Sequence, residues 1–239
     1  MTKASALITG ASGGIGREIA RQLAAAGLTV YVGSRDQERG RRAVDEIGHD
    51  ARLLALDVTD EGSIADAAGH VQDLDILVNN AGIMVDGKAA TEAGVDSFRR
   101  TYETNVFGVI TVTNAFLPAL RRSAHPRIVN VSSGTGSLTW STGPNPQFPH
   151  ETGGSGAAYR SSKTALNALT VYYAQALAAD GFKVNALAPG LRATNLNARA
   201  AASSGDPGEA AAGAVRLAML PDDGPTGRFF SWDGTAVPW

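Results

Sequence analysis

Ala4-Ser5-Ala6-Leu7-Ile8-Thr9-Gly10-Ala11-Ser12-Gly13-Gly14-Ile15-Gly16 begins as an apolar run and breaks into glycines. The run reads as a short buried strand. After it, Ile15, Ile19 and Leu23 recur at helical spacing, and Gly27 is placed to end that helix. Glycines between a strand and a helix permit a tight turn and close backbone approach. The helix start adds free N–H groups and the positive end of a dipole. The spacing is Gly-x-x-x-Gly-x-Gly rather than Gly-x-Gly-x-x-Gly, and a plain glycine-rich connection is the competing reading. The flanking strand and helix favour a dinucleotide phosphate cradle.

The rest of the chain continues the alternation. Thr29–Gly33 reads as a second strand, and helices and strands then follow in turn. Strands are expected at 52–56, 74–78, 127–131, 182–187 and 227–231, and helices at 36–48, 60–71, 92–100, 101–122, 157–179 and 209–220. Such a pattern implies an α/β fold: a Rossmann-type, doubly wound parallel sheet of about seven strands with helices on both faces. No linker or repeat divides residues 1–239, so one domain is expected. Ligands of such sheets sit beyond the carboxyl ends of the strands. Gly10–Gly16, Ser34–Arg35, Asp57, Asn79–Gly82 and Ser132–Ser133 all fall there. The stretch 134–156, rich in Gly, Pro and Ser, reads as a substrate loop, and 191–207 as a mobile lid.

Composition narrows the function. The chain has 239 residues, 44% hydrophobic and 18% charged, as expected of a globular protein. A net charge of −2 gives no basis for binding nucleic acid or an anionic membrane. There is no cysteine, hence no disulfide, thiolate nucleophile or Cys-based metal site. His49, His70, His125 and His150 lack metal-ligand spacing, and no metal is expected; His150, in the loop before Tyr159, is a candidate substrate contact. Trp140 and Phe148 are candidates either for an apolar pocket wall or for loop packing. With no signal-peptide or bilayer-length apolar run, a cytoplasmic protein is expected.

Two local readings carry chemistry. Beyond the second strand, Ser34 and Arg35 suit a ribose 2′-phosphate, whereas Asp36, one register on, suits a 2′-hydroxyl. Tyr159 and Lys163 lie four apart on the expected helix, on one face. A phenol titrates near ~10, and a neighbouring cation lowers that value. The pair therefore suggests a proton donor or acceptor usable near neutral pH. A surface Tyr and a solvated Lys is the alternative for the pair alone.

Taken in order, Thr9-Gly10-x-x-x-Gly14-x-Gly16, Asn79-Asn80-Ala81-Gly82, Asn105, Ser133, Tyr159-x-x-x-Lys163 and Pro189-Gly190 resemble the short-chain dehydrogenase/reductase family over essentially the whole chain. The Val131–Leu138 turn and the Pro221–Gly227 segment are most similar to its carbonyl-reductase and salutaridine-reductase-like members. The resemblance implies an NADP(H)-dependent reductase or reversible dehydrogenase acting on a small carbonyl or alcohol, with NAD(H) the less favoured cofactor. Tyr159 would be the acid/base and also meet the cofactor; Lys163 would lower its pKa and bind the nicotinamide ribose. Ser133 would orient the carbonyl, and Asn105 would complete the set by holding a water. Gly10, Ser12, Gly14, Ile15 and Gly16 would line the pyrophosphate. Asp57 and Val58 would meet the adenine, and Asn79, Ala81 and Gly82 the adenosine side. Pro189, Gly190 and Thr194 would meet the nicotinamide end. The family register puts Ser34 at the NAD-selective acid and Arg35 at an NADP determinant, which resolves the ambiguity towards phosphate. The Ser133–Tyr159 spacing exceeds the family's usual one. It puts the common tetramer in doubt and leaves a homo-oligomer or a monomer open. The alternatives kept are a non-catalytic NADP(H)-binding sensor of the same fold and a methyltransferase.

Overall fold

Strand β1, Ser5–Ile8, is buried along its whole length, as its unbroken apolar run requires. The computed structural model describes residues 3–149 and 153–239. Around β1 stand β2 (Thr29–Ser34), β3 (Ala51–Ala55), β4 (Ile76–Asn79), β5 (Arg127–Val131), β6 (Lys183–Ala188) and β7 (Arg228–Ser231). They form one seven-stranded sheet in the order β3-β2-β1-β4-β5-β6-β7, every ladder parallel. The order reverses between β1 and β4, the switch point where such sheets open a ligand crevice.

Side chains of successive strand residues point to opposite faces, which separates two cores. On one face Ala6, Ile8, Val30 and Val32 meet α1 (Gly14–Ala25), α2 (Gln37–Ile47) and α9 (Pro207–Ala218), through Ile19, Leu23, Ala43, Ile47, Ala214 and Leu217. On the other, Leu7, Leu77 and Ile128 meet α3 (Glu61–Gly69), α5 (Gly108–Leu120) and α7 (Ala157–Ala176), through Ile64, Val112, Phe116 and Ala174.

Helix starts follow local chemistry. The Asp36 carboxylate accepts from the Arg39 N–H at 3.0 Å, and Asp60 accepts from the Ser63 N–H at 2.8 Å, each satisfying an orphan donor. Two expected elements differ. The two helices expected at 92–100 and 101–122 run on as one: α4 (Val95–Tyr102), a π-helical turn (Glu103–Phe107) and α5. The stretch 134–156 is partly ordered: Gly134–Gly136 is a 3₁₀ turn and α6 spans Leu138–Thr142. His150 lies outside the described residues. The stretch 191–207, expected as a lid, carries a short helix, α8 (Ala198–Ala201).

Candidate active site

A cleft of about 810 Å³ runs along the carboxyl ends of the strands. Its floor is the β1–α1 turn. Gly10 sits at φ +64°, and a Cβ there would lie 3.0 Å from Ala81 Cα; at Gly16 a Cβ would lie 2.8 Å from the Gly10 carbonyl oxygen. Only glycine permits this approach. Thr9 ties the turn to the end of β4, its hydroxyl accepting from the Asn80 and Ala81 N–H groups at 3.0 Å each. The Asn80 amide donates to the Thr9 carbonyl at 2.9 Å.

At the far end of the cleft, past β2, lie Ser34, Arg35 and Asp36. The Asp36 carboxylate caps α2, accepting from the Arg39 N–H. The buried Ser34 hydroxyl donates to the Asp36 carbonyl at 2.7 Å, leaving its lone pairs for a ligand. Arg35 is exposed at the rim. Arg39, one turn into α2, lines the same end, with Nη2 3.9 Å from where a Gly13 Cβ would be. The sequence reading overlooked Arg39. Its signal was its place in the first turn of α2, close in sequence to Arg35 just before the Asp36 cap.

The other end holds the polar set. The turn after β5 is pinned to α7: the Ser132 hydroxyl donates to Asn167 Oδ1 at 2.6 Å, and the Thr164 hydroxyl donates to the Gly136 carbonyl at 2.9 Å. Ser133 and Tyr159 thereby line the same end of the cleft, with the Ser133 hydroxyl near enough to the phenol to favour its ionised form. Lys163 is buried, its Nζ 5.7 Å from the centre of the Tyr159 ring and donating to the Val131 carbonyl at 2.8 Å. The expected lowering of the phenol pKa is not found. Burial pushes Tyr159 up to about 12 against the opposing hydrogen bond from Ser133. Burial also pulls Lys163 down to about 8.

Asn105 sits in the π turn, fully buried. Its Oδ1 accepts from the Ile83 N–H at 2.9 Å, and its Nδ2 donates to the Ile83 carbonyl and the Ser162 hydroxyl at 3.0 Å each. A Cβ at Gly82 would lie 3.4 Å from Asn105 Oδ1 and 3.5 Å from Lys163 Nζ, so the two side chains flank one small gap. Asn79 does not reach the cleft with its side chain. Its Nδ2 donates to Thr113 of α5 and Asn130 of β5 at 3.0 and 2.9 Å, correcting the expected adenosine contact. Gly10, Ser12, Gly14, Ile15, Gly16, Asp57, Val58, Ala81, Gly82, Pro189, Gly190 and Thr194 all line the cleft. Phe148 is buried at its wall, whereas Trp140 packs against Ala186, Phe229 and Val237. Among the described residues no cluster of potential metal ligands occurs, and no helix is long and apolar enough to cross a membrane.

Fold and cleft together define a dinucleotide-binding α/β protein with a Ser-Tyr-Lys set at one end. Residues 4–204 match the family model described as short chain dehydrogenase. Salutaridine reductase of Papaver bracteatum is 35% identical over 94% of this chain and 93% of its own length. (+)-Neomenthol dehydrogenase of Arabidopsis thaliana is 35% identical over 95% of each. NADPH-bound carbonyl reductase from chicken fatty liver superposes with a TM-score of 0.83 at 26% identity, over 100% of both chains. The chain belongs to the short-chain dehydrogenase/reductase family. It is an NAD(P)H-dependent oxidoreductase of carbonyl and alcohol substrates.

Proposed function

We propose that the protein is an NADP(H)-dependent carbonyl reductase, reversible as an alcohol dehydrogenase, with Tyr159 as its acid/base. The observation that carries this reading is the convergence of Ser133, Tyr159 and Lys163 on one end of the cleft whose floor is the glycine turn. The residues fit a nicotinamide dinucleotide. Glycines leave room for a pyrophosphate at the start of α1, Ser34, Arg35 and Arg39 suit a 2′-phosphate, and Pro189, Gly190 and Thr194 suit the nicotinamide end. When bound, the cofactor supplies the hydride.

The chain's own residues then supply orientation and the proton. Ser133 hydrogen-bonds the carbonyl oxygen and holds it against Tyr159. A phenol raised to about 12 is protonated at neutral pH, so Tyr159 donates as negative charge grows on that oxygen. Lys163, depressed to about 8, stands one helical turn away and returns a proton towards the phenol oxygen. Asn105 keeps the Gly82–Ile83 backbone in place beside Lys163. One sheet carries both cradle and polar set, which supports treating residues 1–239 as a single cofactor-binding and catalytic domain. A sensor that only bound NADP(H) would not need Ser133 aimed at the phenol.

Tyr159→Phe tests the reading. We expect NADPH binding to be retained and turnover of a ketone, aldehyde or quinone panel to fall at least ~100-fold. Near-normal turnover would falsify it.

A further inference from the structure

We propose that Thr135 is a positioning residue of the reaction, and that its hydroxyl donates to Ser133 and so fixes which way the Ser133 proton points. The inference rests on the roles given above to Ser133 and Tyr159.

Thr135 lies in the 3₁₀ turn after β5, is 7% exposed, and lines the cleft. Its Oγ1 stands 2.9 Å from Ser133 Oγ, and its backbone N–H donates to that same oxygen at 3.2 Å. A serine hydroxyl has one proton and two acceptor positions. The Thr135 N–H occupies one acceptor position. In the role given to it above, Ser133 gives its proton to the substrate carbonyl oxygen. One acceptor position is then left for Thr135 Oγ1, 2.9 Å away, so Thr135 is the donor in the substrate complex. A Ser133 lacking this partner is free to rotate and give its proton to another acceptor. Thr135 is itself held from behind, since the Ser141 hydroxyl donates to its carbonyl at 3.3 Å and Arg160 Nη2 donates to Ser141 Oγ at 3.0 Å.

The test is a double-mutant cycle on the full chain. NADPH oxidation is followed with the fastest member of a carbonyl panel that includes phenanthrenequinone as an o-quinone probe. Thr135→Val keeps the shape and deletes the hydroxyl. We expect kcat to fall about tenfold, the size of one hydrogen bond, with NADPH affinity unchanged. Thr135→Ser should restore kcat to within about twofold. In a Ser133→Ala background Thr135→Val should cost nothing further, because the residue acts through Ser133. An equal loss in both backgrounds, or no loss in either, overturns the inference while leaving Tyr159 in its role. Normal turnover by Tyr159→Phe in the same assay would remove the underlying reading, and this inference with it.

Discussion

Arg35 and Arg39 stand over the cleft without an ion pair to another described residue, and a doubly charged phosphate would be the natural counter-ion for both. Arg35→Ala and Arg39→Ala are each expected to weaken NADPH binding about tenfold or more, the worth of a hydrogen bond to a charged group, and to leave NADH nearly untouched. Fluorescence titration of both cofactors measures this, and equal losses for the two would reject the phosphate assignment. The same stretch explains what single residues did and did not reveal. Asn79 and Asn80 are adjacent at the end of β4, and strand alternation sends one into the sheet and the other to the glycine turn. Nothing in two identical letters says which goes where. Asp36, by contrast, could be read as ribose ligand or as helix cap, and the structure shows it capping α2. Tyr159 was legible by type and spacing, but the direction of its pKa depends on how much water the folded chain excludes.

Among the elements, those punctuated by local chemistry were read to within a few residues: Gly27 ends α1, and the Asp36 and Asp60 carboxylates start α2 and α3. The π turn at Glu103–Phe107 was not. One extra residue within an otherwise apolar helix barely alters the hydrophobic period, yet it rotates the chain so that Asn105 faces inward. Asn105→Ala should therefore strip the buried Ile83 N–H of its partner. We expect about 2 kcal/mol of destabilisation, seen as a fall in Tm of roughly 5 °C by calorimetry. A variant melting with the parent would show that the bonds to Ile83 and Ser162 do not hold the turn. The stretch 191–207 was likewise illegible, because its geometry comes from tertiary contacts. Arg192 stacks 4.3 Å over Trp232, pairs with Glu209 at 2.6 Å and donates to the Pro189 carbonyl at 2.7 Å.

For the molecule as a whole, the buried titratable pair makes stability depend on pH. Lys163 moves from 10.5 to about 8 on folding. Between those values the unfolded chain holds the extra proton, so stability rises with pH. Tyr159 moves from 10.0 to about 12, so above pH 10 the folded chain holds the extra proton and stability falls. Measured without cofactor, the Tm of the parent relative to Lys163→Met should climb from pH 8 to 10. A constant difference would mean that Lys163 titrates alike in both states. The sheet has a further consequence, for biosynthesis. Strand β7 is parallel to β6 and reaches it from the far end of the sequence, and Trp239 stacks on Phe229 at 5.4 Å. While the ribosome is still making these residues, the nascent protein presents the unpaired amides of β6 as an open template. Translation that pauses before Arg228 would leave a sticky, chaperone-dependent intermediate.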